Sequence, residues 1–422
     1  MKNKFLTLIL SICILIPCMY MLSACNSVKF KVDYDFGATY EYFDDAKKSQ
    51  QVNKGEWIIG MPTIKEEYKE AFIGWYIKDT NSKIEDGDFI AGDIILEPRF
   101  DTSKAAPGGL YYNGKMTKSW SELLSNKDIE NISYNDSTSY LTIKNYNLAG
   151  ELVIPNTIEK MDTTFGRCNN LTSIYIGKNV QEIMHKNLPE NGRSLSRIVV
   201  SEDNLIYDSR NSSNAIIETS NNKLIYGCKN TQIPNTVEVI GKFAFHGCTT
   251  LRRIDIPNSV VEIEQLAFWG CIGLTKVTIP DSVIKIGSSV FASCQQLTTV
   301  KLSSNMKEIE QGLFENTNLK SITIPDGIIS IGQQAFNNCS TLNEIVLPVS
   351  VKSIYPFAFD DFSGNVYYLG SLTDKTNMFI DYSSNNFKNA TWYYYSEIKP
   401  TDNGNYWNFD KYKTPTIWEI KE

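Results

Sequence analysis

Between residues 233 and 347 the apolar positions recur as a fixed phrase: a leucine, then two isoleucine-like residues three and five positions later. The phrases Leu251/Ile254/Ile256, Leu274/Val277/Ile279, Leu297/Val300/Leu302, Leu319/Ile322/Ile324 and Leu342/Ile345/Leu347 follow one another at steps of 23, 23, 22 and 23 residues. Leu171/Ile174/Ile176 and Leu195/Ile198/Val200 keep the pattern, so the array starts near Leu152. Alternation at the end of each phrase is that of a strand with one buried face. It predicts parallel strands at residues 253–256, 276–279, 299–302, 321–324 and 344–347 in one curved sheet. Phe245, Phe268, Phe291, Phe314, Phe336 and Phe359 recur in step and predict an aromatic column inside the stack. A proline following most phrases marks the turn, because it has no amide to give to a ladder.

A period in the twenties with L-x-x-I-x-I spacing is the mark of a leucine-rich repeat solenoid. No coil covers its own apolar face, so each relies on its neighbours, and each buried Ile, Leu or Phe adds roughly 1.5 to 3 kcal/mol. The lines IGKFAFHGCTTLRRIDIPNSV, IEQLAFWGCIGLTKVTIPDSV and IGQQAFNNCSTLNEIVLP resemble the BspA-like class of bacterial leucine-rich repeat. Its unit runs roughly I-G-x-x-A-F-x-x-C-x-x-L-x-x-I-x-I-P-x-S-V. Thr317 stands in place of the cysteine in one coil and Gly177 in place of the proline in another. The stretch from Tyr207 to Pro234 resembles an irregular insert of that family and reads as a shortened coil. The resemblance covers about Leu152 to Ile354 and implies a surface protein that presents its repeats to host, matrix or neighbouring-cell proteins.

The flanks divide differently. Residues 25–100 carry aromatic and β-branched runs between turns and predict a small β-rich domain. FIGWY, Phe72 to Tyr76, and the closing DIILEPRF resemble the Listeria-Bacteroides repeat, which implies a β-grasp-like module. Residues 101–150 read as linker and N-terminal cap, with Asp101–Gly109 the linker and MTKSWSELLSNKDI a short amphipathic helix. Residues 151–360 are the repeats. Residues 361–422 form an aromatic C-terminal unit in which Trp392, Tyr393, Tyr394, Tyr395, Trp407 and Trp418 are expected to pack as a cap.

Charge and chemistry narrow the function. The 422-residue chain carries a net charge of -7, which offers no overall basic footprint for nucleic acid. Residues 1–24 read as a secretory signal: Lys2 and Lys4 precede an apolar run to about Leu22. Leu22-Ser23-Ala24-Cys25 resembles the bacterial lipoprotein box, which implies cleavage before Cys25, a diacylglyceryl group on its sulfur, and a chain facing outward from the membrane. Cys168, Cys228, Cys248, Cys271, Cys294 and Cys339 belong to the repeat and are expected to be buried thiols. Stacked positions lie about 4.8 Å apart in a line, which cannot surround zinc tetrahedrally. His185 and His246 have no serine or cysteine nucleophile motif beside them and read as turn residues. No cofactor, metal or catalytic residue is expected.

Glu262, Glu264, Glu308 and Glu310 recur at matching coil positions and read as a solvated face, with an acid–base pair the less simple reading. The outward strand positions, with their neighbours, give a modestly basic stripe on the concave face: Arg252, Arg253, Asp255, Lys276, Thr278, Thr299, Lys301, Lys320 and Thr323. The expectation is a monomeric, lipid-anchored adhesin-like binding protein for an extracellular protein or glycan. Its alternatives are an envelope or glycan hydrolase, or an accessory protein, and a structural spacer.

Overall fold

The computed structural model describes residues 28–54, 56–125, 132–135, 140–143, 147–184, 194–360, 362–381, 386–401 and 404–418. The signal segment, Cys25 and His185 lie outside the described residues. Two compact units divide the chain, residues 1–119 and 120–422. Among the described residues no helix is long and apolar enough to cross a membrane.

The first unit holds a five-stranded sheet of β1 (Lys29–Tyr34), β2 (Ser49–Asn53), β3 (Phe72–Ile77), β4 (Lys83–Ile84) and β5 (Ile94–Phe100), in the order β2-β1-β5-β3-β4. The first and last strands lie parallel at its centre, and every other pairing is antiparallel. Trp75, from the FIGWY run, anchors the core, with Tyr34, Phe36 and Phe43 at ring distances of 5.1, 5.4 and 5.1 Å. Its indole donates to Pro62 O at 3.2 Å, so the ring is buried with its polar edge satisfied. A hairpin of Gly109–Tyr112 and Lys115–Ser119 follows, outside that five-stranded sheet. Its turn is Asn113-Gly114, both with positive φ (50° and 76°), the combination a two-residue hairpin needs. The helix expected from Met116 therefore begins only at Trp120, running Trp120–Ser125, because Met116 is buried as a strand residue.

The second unit is the solenoid, and two lines of parallel strands run through it. Ala149–Val153, Asn170–Ile176 and Arg197–Val200 begin the expected line. Later come Lys276–Thr278 with Thr299–Lys301, then Ser321–Thr323, Glu344–Leu347, Asn365–Tyr368, Thr391–Tyr395 and Tyr406–Phe409. The parallel stack thus continues through the aromatic C-terminal segment until Pro415–Ile417 closes it antiparallel. The other line is formed by short strands such as Val239–Ile240, Glu262–Ile263 and Lys285–Ile286. Glu308–Ile309, Ser330–Ile331, Ser353–Ile354 and Phe379–Ile380 carry it on.

Two expectations need correction. Residues 253–256 form no strand, and the expected single sheet is interrupted there and again between Lys301 and Ser321. The insert is not a shortened coil: Tyr207–Asp208, Ala215–Glu218 and Lys223–Gly227 make an antiparallel meander whose last strand joins the parallel stack.

The phenylalanines stack as expected, face to face, with centroids 4.9, 5.3, 5.8, 5.5 and 5.0 Å apart from Phe245 to Phe359. Phe387 extends the column at 4.8 Å. Around each ring from Phe245 to Phe336 the backbone makes a tight excursion with two left-handed residues. Leu266 (60°) and Gly270 (69°) flank Phe268, and Gln334 (57°) and Asn338 (55°) flank Phe336. Hydrogen bonds to the next coil hold these turns: Phe245 N–H to Ala267 O at 2.7 Å, Phe268 to Val290 at 3.0 Å, Phe314 to Ala335 and Phe336 to Ala358, both at 2.8 Å.

The cysteines serve the same turns. All six are buried and unbridged. Cys271 donates its thiol to Phe245 O at 3.1 Å, Cys294 to Phe268 O at 3.3 Å and Cys339 to Phe314 O at 3.1 Å. They are weak donors that add a second bond to carbonyls already engaged within their own coil, Phe245 O by Cys248 N–H at 3.0 Å and Phe268 O by Cys271 N–H at 3.2 Å. Thr317, in the cysteine's place, turns its hydroxyl to Phe314 O at 2.9 Å within its own coil. Burial pushes Cys168, Cys248 and Cys294 from 9.0 up to about 12 and raises Cys271 well above its ordinary value.

Two predictions follow from this packing. Phe291→Ala should cost about 3 to 5 kcal/mol in denaturant unfolding, whereas Gln334→Gly, which relieves a left-handed side chain, should gain about 1 kcal/mol. Thiol neutrality gives the second. The folded state holds these thiols protonated while the unfolded chain ionises them near 9.0, so their share of stability is complete below about pH 9 and falls as pH climbs toward 12. Denaturation midpoints across that range check it, and native-state thiols should resist a thiol reagent until the chain unfolds.

Candidate binding cleft

The outward face of the strand line offers different chemistry along its length. At its C-terminal end Val346 is covered: Tyr367 and fully buried Trp407 pack on it, with Tyr393 and Tyr395 beside them. The Trp407 indole donates to Tyr368 O at 3.0 Å. These aromatics form a small core on the outer face, so that end of the line is closed.

Further back the face is open and charged. A cleft of about 870 Å³ is lined on one side by Arg252, Arg253 and Asp255 and on the other by Lys276 and Thr278 of the next coil, with Lys301 reaching it from the coil after that. Six of the nine expected stripe residues therefore meet in one concavity. Thr299, Lys320 and Thr323 are exposed but do not line it. The cleft exists because the two coils part only here. They remain bonded at Glu262–Ile263 with Lys285–Ile286, at Phe268 N–H to Val290 O, and at Gly273 N–H to Thr249 O, 3.1 Å. A Cβ at Gly273 would meet Thr249 O at 2.7 Å, so glycine permits that last close approach.

Like charge disfavours pairing at this step. Where the line is intact a cation faces a neutral side chain, Lys276 beside Thr299 and Thr278 beside Lys301. One step earlier the same register would set Arg253 beside Lys276, and like charges directly opposed disfavour pairing. Arg253 instead turns to its own chain, its Nε and Nη2 donating to Asp255 Oδ1 at 3.1 and 3.0 Å. Ile256 is left partly exposed at the cleft, while Ile279 and Ile324, its counterparts in later coils, are buried.

The electrostatic balance of the cleft is positive. Arg253 and Asp255 neutralise each other. Asp281 is engaged by the Ser304 amide and hydroxyl at 2.8 and 2.9 Å, which hold its carboxyl below the ordinary value, with Lys301 adding to the effect. Among the described residues Arg252, Lys276 and Lys301 enter no ion pair.

Other candidate residues are accounted for structurally. Glu262 pairs with Lys285 at 2.6 Å and Glu264 with Lys223 at 2.8 Å. Burial, and then the neighbouring Glu308, raise the Glu310 carboxyl, yet no histidine or hydroxyl nucleophile motif accompanies the two. His246 lies buried in a turn, stacked on Trp269 at 4.6 Å. Among the described residues no cluster of metal-ligating side chains occurs.

Comparison with known families matches residues 119–214, 220–328 and 307–399 to the BspA type leucine rich repeat region, in six copies. Among solved structures the chain is similar to a leucine-rich repeat protein from Eubacterium ventriosum, 21% identical over 60% of this chain and 68% of that one, TM-score 0.49. It is also similar to a leucine-rich repeat protein from Bacteroides ovatus, 22% identical over 63% and 70%, TM-score 0.41, and to a leucine rich cell surface protein from Faecalibacterium prausnitzii, 20% identical over 59% and 96%, TM-score 0.26. No curated protein matches it.

Proposed function

Because the chain belongs to the BspA type leucine rich repeat family, we propose that it is a surface-exposed protein that works by binding another macromolecule, in the manner of an adhesin. The observation that carries this reading is the cleft, on which converge three cations that enter no ion pair among the described residues. A preformed surface spends little ordering free energy on association. Cations at the rim steer an anionic partner and make its capture salt-dependent. Placement at the membrane follows from the export signal and Cys25, with the β-rich first unit acting as a Listeria-Bacteroides-like module between anchor and repeats.

Two experiments test the reading. Beads coated with the mature chain should retain surface proteins from intact neighbouring or host cells, and retention should fall several-fold with rising salt. Joint Arg252→Ser, Lys276→Ser and Lys301→Ser should cause a similar loss with an unchanged Tm, whereas unaltered retention would remove the cleft from the account. For the anchor, Cys25→Ala should release the protein to the medium or leave it unprocessed. A processed Cys25→Ala form that still partitions into detergent would exclude lipidation.

A further inference from the structure

Beyond its cations, the cleft holds polar side chains that the fold leaves unspent. The residue two places past the last isoleucine-like position of a phrase ties coils together in two other turns: Asn156 Oδ1 accepts from Lys178 N–H at 3.0 Å, and Asp281 Oδ1 from Ser304 N–H at 2.8 Å. Asn258 holds that position at the cleft, yet the matching bond from Asp281 N–H does not occur among the described residues. Its carboxamide is exposed and has no hydrogen-bond partner among them, and the same is true of the Thr278 hydroxyl on the next coil. Partly exposed Ile256 and Pro280 also line the hollow, so apolar surface sits beside these donors and acceptors. The strands beneath are closed to a partner, because Ile254 and Val277 are buried in one core. A ligand therefore lies over the outer side chains and is recognised by them alone. Arg252, Lys276 and Lys301 come from three successive coils, with Lys301 two residues past Thr299, which faces Lys276. A linear ligand that reaches all three runs across the strands and carries anionic groups repeatedly along its length.

We propose that the cleft is a subsite for an anionic polysaccharide, one whose sugars carry carboxylate or sulfate groups, which gives the binding reading above, on which it rests, a chemical class of ligand. Each feature of the hollow has its counterpart in such a chain. Ammonium and guanidinium groups meet the anions, and Arg252 brings the planar fork that holds an oxyanion bidentately. The Asn258 carboxamide and the Thr278 hydroxyl can each donate and accept, as sugar hydroxyls require. Ile256 and Pro280 offer apolar contact to the C–H face of a pyranose ring. An acidic peptide would satisfy the cations, but extended backbone needs a strand to pair with and finds none on this face. Water holds the polar groups in the unliganded chain and is released as the sugar replaces it.

The probes are four hexamers titrated into the mature chain by calorimetry: a galacturonate oligosaccharide bearing carboxylates, a heparin oligosaccharide bearing sulfates, a neutral glucose oligosaccharide, and hexaglutamate. One or both anionic sugars should bind saturably, and which of them does identifies the group recognised, while the neutral sugar should not bind. Lys276→Ser should weaken the bound sugar at least tenfold, whereas Lys307→Ser, the same charge removed from an exposed position beside the second strand line, should change it little. Asn258→Ala removes no charge, so it should weaken the sugar several-fold and leave the salt dependence unaltered. Hexaglutamate binding as tightly as the sugar, equal losses for Lys276→Ser and Lys307→Ser, or indifference to Asn258→Ala would reduce the cleft to general electrostatics and overturn the glycan assignment. No binding of either anionic sugar at millimolar concentration would do the same. Cation-dependent retention on the beads without oligosaccharide binding removes this proposal alone, and loss of both removes the binding reading as well.

Discussion

From Phe245 to Phe336 each coil depends on one arrangement, the tight turn that carries a phenylalanine inward and donates its amide to the coil that follows. The Phe268 to Val290 bond is typical: it forms only if two flanking residues enter the left-handed region, Leu266 and Gly270 here, and that costs free energy for any residue with a side chain. The stack repays that cost with a ring–ring contact near 5 Å on each side and with an inter-coil bond that no isolated coil possesses. The buried thiols complete the turn by donating to the phenylalanine carbonyl of the preceding coil. Neutral thiols are required for that, so burial that raises their ionisation and the bond they make are two aspects of one constraint.

From this constraint the cleft follows. The phenylalanine turn and the strand line of Glu262–Ile263 and Lys285–Ile286 hold the coils at ladder distance, so the outer strands can part without loosening the stack. At the cleft, Arg253 and Lys276 would be opposed, which disfavours pairing there. The cleft is flanked on both sides by bonded coil segments and lined by cations. At the C-terminal end the same face is closed by Tyr367 and Trp407 over Val346.

Much of the repeat was legible in the sequence, because a period of 22 or 23 residues with fixed leucine, isoleucine and phenylalanine positions has one economical three-dimensional meaning. The strand at residues 253–256 was misread for a physical reason: pairing depends on what stands opposite, and the phrase alone does not report that Arg253 would face Lys276. The second strand line escaped notice because its members are mostly two residues long, and Glu262 and Glu308 within it looked like solvated charge. Asn113-Gly114 did signal its hairpin and was passed over in favour of a helix pattern. Phe387 lies off the period, so only the fold reveals it as the last ring of the column. Of the cleft, the cations were legible as outward positions; that six stripe residues share one hollow depends on how the coils stack.

The account's central claim is that each coil is one interchangeable unit held by its neighbours. Removing one whole coil, residues 280–302, should leave a chain that unfolds in a single cooperative transition with native-like strand content, as followed by circular dichroism through a denaturant series. Removing residues 280–297 breaks the register of the phenylalanine turn and should leave no such transition. If the whole-coil deletion unfolds as completely as the shorter one, or if both fold equally well, stacking in register is not what holds this protein together.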